Sequence, residues 1–277
     1  MRQLRHFLWI PIVIAVLSVQ SVWAATDRTR VESFLQTTGF DVALESIKLS
    51  AGSAPAMLGV PEDAFGIQWT FLTKRVFDKD VMHGLALDIL QQTLTDDLLD
   101  HANAFYASDL GQRLVAAENA AHMTPDDDAK TQAGEAIVAG LVRIGSTRVA
   151  DLTRMTTAVD SDGTAVRAIH EIQVRFLMAA AGAGVIELQL DEPDLREMLK
   201  SQENTLRQSI RASALSGSAY TYQAFSDAEV AAYADALEDP KMKRVYALMN
   251  AVQYEIMANR FEALAVEMAG LQPSTDL

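Results

Sequence analysis

The chain has 277 residues with 37 acidic against 23 basic side chains, a formal charge of −14, and no cysteine. A hydrophobic content of 49% is enough for a globular core. The missing cysteines exclude disulfide frameworks, thiolate metal sites and cysteine nucleophiles, and the acidic excess argues against nucleic acid or an anionic bilayer surface as the main partner.

Residues 1–24 run from a basic start carrying Arg2 and Arg5, through an apolar stretch from Phe7 to Val19, to a more polar end at Ala24. This is the pattern of a secretory signal, and the small side chains of Val22 and Ala24 predict cleavage after Ala24, with Ala25 as the alternative. The apolar stretch is shorter than the roughly 20 residues that cross a bilayer, and it contains Pro11. The expected product is a periplasmic protein with no stable membrane span after cleavage, more acidic still because Arg2 and Arg5 are lost.

From Ala25 onward the periodicity predicts an all-α protein of about ten helices. Pro61 with Glu62 and Asp63 supplies a helix start, and Phe65, Trp69, Leu72 and Val76 fall on one face of the helix that follows. Residues 125–160 read as one long connecting helix opened by Pro125, with Ile137, Leu141, Ile144, Leu152 and Met155 on a common face, ending at the Asp160-Ser161-Asp162-Gly163 turn. On either side lie a first helical half, 25–124, and a second, 161–277. The one strand candidate is Val185 to Leu190, between segments that read as helix.

A shift of 131 residues relates the halves. It lays Thr95-Asp96 on Ser226-Asp227 and Ser108-Asp109 on Asp239-Pro240, two cap pairs on two cap pairs. It also matches Gln92 with Gln223, Arg113 with Arg244, Ala116 with Ala247, Asn119 with Asn250 and Ala120 with Ala251. The hairpin Thr95 to Ala121 is therefore expected to be equivalent to Ser226 to Val252, so that the two halves are pseudo-repeats.

The run Leu94-Thr95-Asp96-Asp97-Leu98-Leu99, followed by Phe105-Tyr106-Ala107-Ser108-Asp109-Leu110-Gly111-Gln112-Arg113-Leu114, resembles a bacterial secreted family, the domain of unknown function numbered 2059. There a capped helix ends in an aromatic pair and a Ser-x-x-Gly-Gln turn opens the next helix. The second half is a weaker copy, with Ala236-Leu237 at the aromatic pair and Met242-Lys243 in place of Gly111-Gln112. The resemblance implies a helical envelope protein and brings no catalytic residue with it. Apolar residues around the corner and a small residue in the second helix are what a tight helical hairpin needs, and Tyr106 and Gln112 are candidate groove contacts.

No strong chemical motif emerges. His83, His101, His122 and His170 stand in no metal-binding spacing of established specificity. Asp97 with His101 and Glu118 with His122 are i,i+4 pairs that read better as solvated helix faces. The loop at Asp160 lacks the acidic residues that a calcium loop would need at Ala158 and Ile169. Nucleophile elbow, phosphate loop and dinucleotide fingerprint are all absent. Tyr220, Tyr222, Phe225 and Tyr233 are concentrated within 14 residues, either filling a seam between the halves or lining a partner groove. The expected role is noncatalytic and cofactor-free: an interaction or folding-assistance module for an unknown envelope protein. The alternatives are a carrier of a small apolar ligand or lipid held between the halves and, third, a hydrolase using carboxylates. An apolar pocket would favour the carrier, convergent carboxylates or histidines the enzyme, and a solid interior with an exposed apolar patch the interaction module.

Overall fold

A computed structural model describes residues 26–59, 65–124, 127–161 and 163–271. The expected signal segment at 1–24, the expected helix start at Pro61, the expected opening at Pro125 and Asp162 of the turn lie outside the described residues. Among the described residues the chain is all-helical: α1 (Arg28–Thr38), α2 (Phe40–Ser46), a 3-10 turn (Ile47–Ser53), α3 (Ala54–Met57), α4 (Gly66–Val76), α5 (Lys79–Thr93), α6 (Asp96–Tyr106), α7 (Asp109–His122), α8 (Asp127–Arg143), α9 (Arg148–Val159), α10 (Thr164–Gly182), α11 (Glu192–Ser201), α12 (Glu203–Thr221), α13 (Asp227–Glu238) and α14 (Pro240–Met268).

Most boundaries follow from local chemistry. Asp27, Asp78, Ser108, Asp191, Ser226 and Asp239 each accept hydrogen bonds from the first free amides of their helices. At α13 the cap is reciprocal: Ser226 Oγ accepts from the Glu229 amide, and the Glu229 carboxylate accepts from the Ser226 amide at 2.8 Å. That amide, together with Arg113, lowers Glu229 to about 2. Thr95 occupies the cap position of α6, but its hydroxyl is turned to the Asp97 carboxylate instead of a backbone amide. Asp160 ends α9 and caps α10, accepting from the Thr164 amide at 2.8 Å, and Gly163 sits in the left-handed region.

Two expectations change. Residues 125–160 do not form one connecting helix. α8 stops at Arg143, and the amides of Gly145 and Ser146 fold back onto the carbonyls of Val142 and Leu141. Gly145 has a φ of +65°, which an L side chain rarely adopts, and the chain turns there before α9. The predicted common face breaks at the same point, since Ile144 is 75% exposed while Leu152 and Met155 are buried. The segment Val185 to Leu190 is not a strand. It is an irregular link whose Leu188 and Leu190 pack on a small cluster of Val174, Leu195 and Leu199 between α10 and α11.

The 29-residue α14 is the axis of the fold. Met242, Val245, Met249, Val252 and Ile256 recur at the three- and four-residue steps of a buried stripe, and Phe261, Leu264, Ala265 and Met268 extend the buried surface. Against it pack α4, α5 and α6 from the first half and α10 from the second. Arg175 of α10 reaches Glu255 and Glu262 of α14 at 3.1 and 2.7 Å. The other principal pairings are α8 with α12 and α9 with α13. At the first of these the backbones approach so closely that a Cβ on Gly134 would lie 2.1 Å from the Ser216 carbonyl oxygen. One continuous core runs from Val31 to Met268, so both halves are built on the same hydrophobic interior.

Candidate functional site

The corner between α6 and α7 places the first site residues. Ser108 caps the Gly111 amide at 3.1 Å, and Gln112 Nε2 donates to the Tyr106 carbonyl at 2.6 Å and to the Thr37 carbonyl at 3.1 Å. A Cβ on Gly111 would lie 2.4 Å from the Phe105 carbonyl oxygen, so only glycine permits the corner to close this tightly. Closure directs the Tyr106 ring into the interior, where it is 0% exposed.

Four tyrosines and one glutamate meet there. The Tyr106 hydroxyl lies 2.9 Å from that of Tyr233 and 2.5 Å from that of Tyr246, and Tyr233 and Tyr246 are 3.0 Å apart. The hydroxyls of Tyr222 and Tyr233 both donate to Glu118 Oε1, at 2.7 and 2.8 Å. Phe105 stacks on Tyr233 with a 6° interplanar angle, and Phe40 meets the Tyr246 ring edge-on. Burial raises all four phenols above their ordinary value, which keeps them protonated at neutral pH. Burial also raises the Glu118 carboxyl, against the two tyrosine hydrogen bonds that favour its ionised form.

This network forms the base of a cleft of about 420 Å³, a volume in the range that holds a small organic molecule. Phe40 of α2 and Asn119 of α7 line one side. Met155 and Val159 of α9, Ile210 and Gly217 of α12 and Leu237 of α13 line others, and Tyr222, Tyr233 and Tyr246 contribute aromatic surface. His122, Lys130 and Asp160 also line it. Asn119 Oδ1 is buried with no hydrogen-bond partner among the described residues.

Of the residues singled out in the sequence, Tyr106, Tyr222 and Tyr233 converge in the network, and the latter two line the cleft. Gln112 is a corner clamp. Phe225 is buried with its ring edge-on to Tyr222 and the Arg113 guanidinium 5.6 Å from its centroid, and neither it nor the half-buried Tyr220 lines the cleft. Glu118 corrects the expectation of a solvated Glu118–His122 face: the carboxylate turns inward to the tyrosines. Its position was legible, because Gly111, Leu114 and Val115 are the buried face of α7 and residue 118 continues their i, i+3, i+4, i+7 series. Tyr246 was missed because its helix reads as a methionine and aliphatic stripe. Asp97 and His101 do not pair with each other: Asp97 is held by Thr95 and Lys241, and His101 Nε2 lies 3.1 Å from Asp239. Among the described residues no group of three or more His, Asp or Glu side chains could hold a metal ion.

Residues 80–139, from α5 into α8, match the family described as "Uncharacterized protein conserved in bacteria (DUF2059)". The match contains the entire α6–α7 corner and Glu118, and spans under a quarter of the chain. No curated protein and no solved structure matches the chain.

Proposed function

We propose that the protein is a noncatalytic carrier that holds a small molecule in the cleft between its two halves. The observation behind this reading is the cleft itself. Its walls from α9, α12 and α13 are largely apolar, and its base is a carboxylate set among fixed tyrosine hydroxyls. Such a combination of apolar walls with a few oriented polar groups is what a binding pocket requires. Native mass spectrometry of protein isolated from its own cells tests it. A small-molecule mass adduct should be present under native conditions and absent after denaturation. Gly217→Phe should abolish it, because a Cβ at Gly217 meets nothing within 4 Å and the ring would fill the cleft. Protein that arrives without any adduct, and that takes up none from a cell extract, would rule the reading out.

A second reading, the interaction module, is favoured by Ile67 and Phe71 on α4, 73% and 68% exposed and one turn apart. The hydrolase alternative has less support, since Asp160, the other carboxylate among the described residues that line the cleft, is engaged in capping Thr164.

Export to the periplasm belongs to the same proposal, supported by the signal pattern of residues 1–24. No described helix is long and apolar enough to cross a membrane. Amino-terminal sequencing should read Ala25 or Thr26, and full-length chain in a membrane pellet would refute it. The pseudo-repeat is supported by Thr95, Ser108, Ser226 and Asp239, which all occupy helix-cap positions. It is also supported by two ion pairs that join helix starts across the hairpins: Arg113 of α7 with Glu229 of α13 at 2.6 Å, and Lys241 of α14 with Asp97 of α6 at 3.6 Å. Superposing α6–α7 on α13–α14 decides it, and opposite crossing directions would end the claim.

A further inference from the structure

The base of the cleft restricts the chemistry of what binds there. Both hydrogen bonds to Glu118 converge on Oε1, and Oε2 receives none from a described residue. The network has no donor in reserve. With the protons of Tyr222 and Tyr233 committed to Glu118, the two remaining, on Tyr106 and Tyr246, must serve the three contacts among Tyr106, Tyr233 and Tyr246. Glu118 lines the cleft, and its second carboxylate oxygen is open to a donor that a ligand can bring.

The surrounding charge selects the kind of donor. The groups facing Glu118 from α6, the turn after α12, α13 and α14 are the four tyrosines, uncharged at neutral pH. Farther out, Asp160 and Lys130 line the cleft, and Lys130 Nζ lies 3.4 Å from the Ala121 carbonyl at the end of α7. Desolvation and the neighbouring Lys130 hold His122 below the ordinary imidazole value, which leaves it neutral at neutral pH. Among the described residues that line the cleft, Glu118 and Asp160 are acidic and Lys130 is basic, in a chain whose formal charge is −14. Aromatic rings at such a site add further attraction for a cation, which is favoured within about 6 Å of a ring face.

We propose that the cleft binds a small organic cation with an apolar body, its ammonium head paired with Glu118 and its chain lying along Met155, Val159 and Leu237. This deepens the carrier reading and rests on it. An ammonium at Oε2 supplies both a donor to the open oxygen and a countercharge to a carboxylate set among uncharged tyrosines.

Titration calorimetry of the purified protein against octylammonium, octanol and octanoate isolates the head group on one constant chain. Octylammonium should bind about tenfold or more tightly than octanol, and octanoate the weakest of the three. Affinity for octylammonium should fall as pH drops from about 7 to about 4, where carboxylates gain protons, while that for octanol should not. Glu118→Gln should erase the preference for ammonium. If that variant fails to fold, the pH series on the unaltered protein decides alone. Octanol or octanoate binding as tightly as octylammonium, or a preference that survives Glu118→Gln, overturns the cation assignment. The carrier reading then stands if Gly217→Phe abolishes the binding. If none of the three binds, the cation assignment falls, and the adduct measurement on protein from its own cells decides the carrier reading separately.

Discussion

The guanidinium of Arg148 donates to the backbone carbonyl of Tyr222, 74 residues further along the chain, at 2.5 Å. The same side chain reaches the Phe225 carbonyl and Asp227, each at 2.8 Å, so one buried arginine at the start of α9 pins the turn between α12 and α13. That turn carries Tyr222, whose hydroxyl holds Glu118. Arg148→Met keeps the apolar stem but removes the guanidinium donor from the Phe225 carbonyl, while the Tyr222 carbonyl keeps the Phe225 amide at 3.0 Å. An unsatisfied buried acceptor costs about 1–3 kcal/mol, so chemical denaturation should show at least that loss. It should also loosen Tyr222, detectable as faster hydrogen exchange through 222–227. Unchanged stability would mean that water replaces the guanidinium.

Three glycines predict opposite outcomes for one added methyl group. A Cβ on Gly111 would meet the Phe105 carbonyl oxygen and the Tyr106 backbone, and one on Gly134 the Ser216 carbonyl carbon and oxygen, all below 3.0 Å. Overpacking against backbone of this kind costs about 1–3 kcal/mol. Gly217 lies within α12 with open space at its Cβ, and replacing a helical glycine by alanine gains about 0.5–1 kcal/mol. Gly111→Ala and Gly134→Ala should therefore melt lower than the unaltered protein, and Gly217→Ala higher. A destabilised Gly217→Ala would show that α12 lies closer to its neighbours than the open space at this Cβ implies.

Helix content and caps were legible in the sequence because both are local. The Phe65–Val76 stripe, the Ser108 and Ser226 caps and the Asp160 turn all depend on residues within a few positions of one another. The break at Gly145 was not legible, since Ile137 through Met155 kept a helical period across a glycine that helices elsewhere in this chain tolerate. At the site, Tyr222 and Tyr233 stood out as part of an aromatic cluster, yet their meeting point did not. Glu118 is 104 residues from one and 115 from the other, and only tertiary packing brings them together. A glutamate on an apolar helix face was the single local sign.

Ser108 and Ser226 are not partners under the 131-residue shift, which pairs Ser108 with Asp239 and Thr95 with Ser226; Ser108 opens the second helix of one hairpin and Ser226 the first of the other. Each accepts a hydrogen bond from the amide three residues on, and replacing either with alanine should cost about 0.5–2 kcal/mol. Phe105 should matter more than either, because it stacks on Tyr233 and closes the network from above. Truncating a packed phenylalanine to alanine costs about 3–5 kcal/mol, toward the lower end here since the ring is only half-buried. Urea titrations of the three variants would rank them, and a Phe105→Ala cost below that of the caps would place the ring outside the core.

Glu118 makes the stability of the protein depend on pH in a direction opposite to that of an ordinary ion-paired carboxylate. Its carboxyl is raised above the usual glutamic value of 4.5 by burial, with the Tyr222 and Tyr233 hydrogen bonds opposing. The folded state thus favours the protonated form more than the unfolded chain does. The stability this contributes is complete below pH 4.5 and is lost as pH rises through the raised native value. Glu118→Gln keeps an oxygen to accept from both tyrosines and stays uncharged at every pH. The stability difference between variant and unaltered protein should therefore move in favour of the variant as pH climbs from about 4 toward neutrality, then level off. Taking the difference removes every group that titrates alike in both, including the lowered Glu229 and Asp239. Denaturation midpoints measured across that range give the curve directly. A flat difference would mean that Glu118 titrates as it does in the unfolded chain, with water rather than protein around its carboxylate.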